Sequence, residues 1–237
     1  MATTGAHTVK AFDEELDQLR ALIAQMGGLA EAAICDSMRA LMQQDREAAA
    51  RIVENDKKID ALEAEIERMA VQIIALRAPM ADDLRAVVAA LKIAGVVERI
   101  GDYAKNIAKR VPVIEESPKI EPLSLLPEMA RIAGEMVRNV LDAFAARDSQ
   151  KAAAVCERDR AVDDFYNSIF RTLLTFMMEN PHNITPATHL LFIAKNLERI
   201  GDHATNVAEM VYFAATGRHL ADRPRGEDPF GAAASNG

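Results

Sequence analysis

Two stretches a hundred residues apart, ERIGDYAKN at 98–106 and ERIGDHATN at 198–206, limit what this chain can fold into. A segment that returns at a fixed offset marks a structural unit used twice. The recurrence reaches further back. Asp45, Asp56 and Asp60 return 103 residues later as Asp148, Asp159 and Asp163. The small difference between the two offsets falls in the loop before the last helix of each half, where changes of length are tolerated. The chain therefore reads as two copies of one unit.

Each copy reads as three helices. A helical pattern runs from Phe12 to near Gln44, and Asp45 is placed to cap a second helix that starts at Arg46. In that second helix Ile52, Ile59, Leu62, Ile66, Met69, Ile73 and Leu76 recur in steps of three, four and seven, the seam of a helix packed on helices. Pro79 interrupts the pattern, and a third helix follows from about Met80 to Arg110. The segment VPVIEESPKIEPLSLLPEM, with prolines at 112, 118, 122 and 127, reads as the linker between copies. The second copy has helices over about Leu125–Ala146, from Asp148 to about Met178, and from Thr185 to near Gly217. The expected fold is all-α: two tandem, pseudo-symmetric, antiparallel three-helix bundles with six long helices. At about 30 residues and 1.5 Å of rise per residue, each helix is roughly 45 Å long. The expected organisation is a flexible N-terminus over 1–11, bundles over 12–117 and 118–217, and a disordered tail over 218–237.

Composition narrows the function. The chain carries 36 acidic and 28 basic residues, for a net charge of −8 and a pI near 5.2. Phosphate contacts need clustered Lys and Arg, so nucleic acid is not an expected partner. No run of about 18 apolar residues is available to span a bilayer, and no signal core opens the chain. A cytoplasmic setting is expected, with no membrane insertion. Cys35 and Cys156 are isolated in helical apolar patterns and read as small buried hydrophobes rather than a disulfide framework.

The repeated motif carries the chemistry. In the third helix Ile93, Val97, Ile100, Ala104, Ile107 and Val111 form the core seam, matched by Ile193, Leu197, Ile200, Ala204, Val207 and Val211 in the last. On a helical wheel Glu98 and Asp102 fall nearly opposite that seam, facing outward, with Asn106 on the same edge. Between the faces lie Ala94, Gly101 and Ala108, and again Ala194, Gly201 and Ala208, a line small enough for another helix or a ligand to approach the backbone. Asp56 and Asp60 in the second helix, like Asp159 and Asp163 in the fifth, are also carboxylates four apart. Asp56 and Asp159 flank the seam and point toward a neighbouring helix. A helix pair can thus gather four carboxylates, which stay close only with a cation or with protons between them. Acid pairs at this spacing also occur on ordinary solvated faces, and Arg99 and Arg199 are available as ion-pair partners. All-oxygen ligation favours hard ions such as Fe, Mn, Mg or Ca over Zn.

These segments, with FDEELDQLRALIAQMGGLAEAAI, VENDKKIDALEAEIERMA and LRAPMADDLRAVVAALKIAGVVERIGDYAKNIAKR, resemble the PhoU family of bacterial phosphate-uptake regulators. The likeness covers Phe12 to Gly217. It implies two three-helix bundles related by an internal pseudo-two-fold, and metal on paired acidic motifs. Carried over, the ligands are Asp56, Asp60, Glu98 and Asp102 in one half and Asp159, Asp163, Glu198 and Asp202 in the other, flanked by Arg99, Asn106, Arg199 and Asn206. The first copy departs from the family in having Gly95, Val96 and Val97 where polar residues are common, whereas the second keeps Asn196.

The resemblance further implies a non-enzymatic negative regulator of the phosphate-starvation (Pho) response and of phosphate transport. It would couple the ATPase subunit of a Pst-type ABC transporter to a PhoR-type sensor histidine kinase, as a homodimer. Two other readings stand beside it. One is a carboxylate-bridged metal oxidase, for which Glu179 and His182 give a Glu-x-x-His spacing interrupted by Pro181. The other is a metal-free structural helical adaptor.

Overall fold

The computed structural model describes residues 3–116 and 121–220 of the chain. Among these residues the elements are helical throughout: α1 (Thr3–Gln43), α2 (Arg46–Arg77), α3 (Asp82–Ala108), a short α4 (Val111–Glu115), α5 (Leu126–Ala146), α6 (Ser149–Glu179) and α7 (Ile184–Thr216), with 3₁₀ turns at Glu121–Leu125 and Pro181–Asn183. Six of the α-helices are long. α1, α2 and α3 pack on one another, as do α5, α6 and α7, so each half is a three-helix bundle.

The same local chemistry starts the second helix of each half. Gln44 and Arg147 take left-handed backbone angles, and the aspartate that follows caps the next helix. Asp45 accepts from the Ala48 amide, and Asp148 from the amides of Gln150 and Lys151. α2 ends where Ala78 turns left-handed just before Pro79, which cannot continue a helix.

The halves join through α1 against α5 and α3 against α7. α3 and α7 run antiparallel. Tyr103 meets His203 edge-on at 5.1 Å, Arg110 just past the end of α3 reaches His189 near the start of α7, and Arg85 near the start of α3 lies beside Gly217 at the other end. α1 and α5 come so close at Gly27 that a Cβ there would sit 2.2 Å from Leu141 Cδ1.

Pairing like with like across the two-fold leaves two grooves between α3 and α7, one at each end, and they differ. One is filled: the Arg110 guanidinium lies 4.4 Å over the Phe192 ring and is 3.1 Å from His189. At the other end Lys92, Ala89 and Met210 hold the places of Phe192, His189 and Arg110, and a cavity of about 550 Å³ stands open, floored by residues such as Val88 and Phe213.

Several expectations are corrected. α1 begins at Thr3 rather than Phe12, because nothing in the segment stops a helix from extending one hydrogen bond at a time. The start of the proline-rich linker is the helix α4, with Pro112 in its first turn and Val111 and Ile114 buried; Pro118 lies outside the described residues. Cys35 is exposed, whereas Cys156 is buried. Of the expected tail, 218–220 are described, with the His219 ring stacked 4.7 Å from Phe213 and Leu220 packed on the core; 221–237 lie outside the described residues.

Candidate functional site

Gly101 and Gly201 explain how the acidic rows meet. A Cβ on Gly101 would lie 2.8 Å from Ile59 Cδ1 and 3.4 Å from Asp56 Oδ1; on Gly201 it would lie 3.3 Å from Val162 Cγ1 and 3.4 Å from Asp159 Oδ1. The missing side chain lets the aspartate of the second helix lean against the backbone of the third. The cost of a mid-helix glycine, about 1 kcal/mol relative to alanine, is borne twice at the same place.

The carboxylates of the repeated motif do not face outward. Glu98 and Asp102 side chains are only 21% and 35% exposed, and Glu198 13%. The reason is that α3 packs against α1, α2 and α7 at once, so three neighbours cover most of its circumference. Asp56 is buried, Asp159 and Asp163 are half-buried, and Asp60 remains exposed.

In the first half, Lys105 Nζ donates to both Asp56 Oδ2 and Asp102 Oδ1, tying α2 to α3. Burial opposes the charge on this ammonium, but the two hydrogen bonds and both carboxylate charges outweigh it and raise its pKa. Glu98 is pushed up to about 7, first by burial and then by the charges of Asp102 and Glu63. Glu63 is itself raised, by burial and by Glu67 and Asp60. Arg99 is mostly exposed, its Nε 3.9 Å from Glu98.

The second half compensates charge differently. Lys195 Nζ donates to Glu198 Oε1 at 2.6 Å, while Glu198 Oε2 is buried with no hydrogen-bond partner. Burial raises the Glu198 pKa; Lys195 opposes the rise, and Asp202 and Asp163 add to it. At the place of Lys105 stands Thr205, buried, its hydroxyl donating 2.6 Å to the Asp202 carbonyl. Asn196 uses its amide on the Phe192 carbonyl of its own helix, 2.7 Å away. His203 donates from Nδ1 to the Arg199 carbonyl at 2.9 Å; burial holds its pKa below the usual range. Asn106 is half-buried on α3, and Asn206 lines the open groove.

Lys105, Lys195 and Glu63 were not singled out from sequence. The repeat drew attention to what the halves share, and these residues face Thr205, Gly95 and Tyr166 across it. The signal available was spacing: Lys105 is three residues after Asp102, and Lys195 three before Glu198.

The matched halves are also what the known proteins share. The PhoU domain profile matches residues 23–111 and again 126–211. The chain belongs to the PhoU family. Among PhoU relatives, the phosphate-specific transport system accessory protein PhoU homolog of Zymomonas mobilis is 61% identical over 94% of both chains. Its namesake in Caulobacter vibrioides is 49% identical over 92% of this chain and 96% of its own. The crystal structure of PhoU from Pseudomonas aeruginosa superimposes with a TM-score of 0.84 at 36% identity, covering 87% of this chain and 100% of that one. The phosphate transport system regulatory protein PhoU of Streptococcus pneumoniae gives 0.81 at 27% identity, covering 88% and 99%.

A PhoU fold brings the question of metal with it. Among the described residues, no three His, Cys, Asp or Glu side chains converge closely enough to hold an ion as they stand. The halves then part. Between Asp56 and Asp102 the first half already holds an ammonium, which does not fit an added cation. The second half keeps one buried carboxylate oxygen, Glu198 Oε2, without a hydrogen-bond partner, an oxygen donor of the kind that hard cations take. For the oxidase reading, Glu179 and His182 are both exposed at the α6–α7 turn, away from any bundle interior.

Proposed function

We propose that this chain is a non-enzymatic regulator of phosphate homeostasis in the cytoplasm, restraining phosphate transport and the starvation response when phosphate is plentiful. It acts as an adaptor between the ATPase subunit of a Pst-type transporter and a PhoR-type sensor kinase, and it works as a homodimer. The observation that carries the reading is the double PhoU match over both bundles, in relatives named as accessory proteins of phosphate-specific transport. Long, rigid helices joined at two interfaces suit an adaptor, which needs surfaces held at a fixed spacing. Among the described residues no helix is long and apolar enough to cross a membrane.

In this reading a hard metal ion binds the second acidic cluster through Glu198, Asp202, Asp163 and Asp159. Its charge relieves the crowding of the carboxylates and so steadies α6 against α7. A partner is regulated only if it binds one of its own states better than another, so the adaptor's effect on the kinase requires preference for the state that silences the response.

The test is a deletion strain grown in rich phosphate. The expected result is raised phosphate uptake and an active starvation reporter, both restored by the wild-type chain. Unchanged transport and unchanged kinase output would remove the proposal. Pull-downs with the ATPase subunit and with the kinase's cytoplasmic part then separate the two contacts.

A further inference from the structure

We infer that Lys105 is a built-in counter-ion for the first half, and that the chain takes up metal in its second half alone. The inference rests on the metal reading of the second cluster given above. Its own ground is the position of one ammonium. Lys105 Nζ bonds a carboxylate on α2, Asp56, and another on α3, Asp102, so it already makes the inter-helix bridge that an ion would make. Neither end of the bridge is loose: Asp56 is 6% exposed and the Lys105 side chain 20%.

A metal entering this place has to displace an ammonium held by two charge-assisted hydrogen bonds, among the stronger kinds in proteins. The displaced charge stays tethered to α3, one turn from Asp102. Two cations side by side in a half-buried groove repel, and low local polarity strengthens the repulsion. The site is thus closed to metal by its own sequence.

In the second half the place of Lys105 carries no cation. Thr205 brings no charge to the pseudo-equivalent place, and its hydroxyl is spent on the backbone of its own helix. The lysine of that half, Lys195, enters ten residues earlier along α7, at the place of Gly95. It holds one oxygen of Glu198 and leaves the other buried without a partner. The two halves therefore put their lysines at opposite ends of the carboxylate row. One joint, α2 on α3, is fastened by a covalently attached cation whatever the metal supply. In the other half it is the unpartnered oxygen of Glu198 that answers to that supply.

The experiment loads the purified full-length chain with Mn²⁺ and reads metal per chain, with anomalous scattering to place it. Wild type is expected to hold metal at Glu198 and Asp202 with no anomalous peak between α2 and α3. The double variant E198A/D202A is expected to lose affinity by about tenfold or more, whereas E98A/D102A retains it. Lys105→Thr, which copies the second half, is expected to raise the metal content to roughly twice that of wild type, as each acidic cluster then meets the demand for neutralisation with an ion. Because that variant removes a bridge, its helicity is checked by circular dichroism. Lys105→Met, which keeps the stem and drops the charge, serves where the threonine variant does not fold. Metal between α2 and α3 in wild type, or a folded Lys105 variant that binds no more than wild type, overturns the inference and leaves the second site standing. No metal in wild type and none in either Lys105 variant overturns the metal reading itself.

Discussion

At Asp45 and Asp148 one carboxylate decides where a long helix begins. Each follows a left-handed residue and accepts the first free amides of the helix beyond it. Replacing either by alanine is expected to cost about 1 kcal/mol, within a range of about 0.5–2, measurable as a shift in the urea midpoint. Glu98 gives a prediction with a sign. Its pKa in the fold is about 7, above the ordinary value of 4.5, so the folded chain holds its proton more tightly than the unfolded one. Its contribution to stability is full below about pH 4.5 and is lost as pH rises through 7. Glu98→Gln keeps the shape and removes the ionisation. The variant is expected to melt at a higher temperature than wild type at pH 8, with the gap closing by pH 5; a gap that does not change with pH would refute the assignment. Both caps were legible in the sequence, because a cap is a local property of an aspartate and its next three residues. The environment of Glu98 was not, because its burial is set by three neighbouring helices that no local window contains.

At the scale of elements, the helix seams were readable, and the reason is periodicity. Ile59, Ile66 and Ile73 recur every seven residues and all three are buried in α2. Ile66→Ala, at a site with no exposure, is expected to cost about 2–5 kcal/mol, read by thermal or chemical denaturation. The proline-rich stretch misled at its start because proline at the first turn of a helix is as acceptable as in a loop, and Pro112 takes that place in α4. The small-residue line was also legible, and the structure gives its use. Gly201→Leu is expected to push α6 from α7 and cost about 1–3 kcal/mol, since Val162 and Asp159 already press on that spot. Loss of thermal stability without loss of helix content is the result that fits.

At the scale of the molecule, the duplication in sequence becomes two bundles locked along two helix pairs. The α1–α5 contact depends on Gly27, where Leu141 fills the space a side chain would take. Gly27→Val is expected to destabilise the junction by about 1–3 kcal/mol and, if the halves then melt separately, to split a single calorimetric transition into two. Arg138 and Glu31 pair across the same contact, but on an exposed face, so their loss is expected to matter much less. The pairing of halves was not readable from either copy alone: the contacts join residues far apart along the chain, such as Arg110 with His189 and Tyr103 with His203.

Half a turn about that meeting point returns every long helix to the place of its counterpart, yet it carries the open cavity onto the ring of Phe192 and the guanidinium above it. The backbone is nearly a palindrome; the surface is an arrow. Anything that seats itself in the hollow between Val88 and Phe213 holds the rod by one pole only, and so fixes which way round it lies between two neighbours.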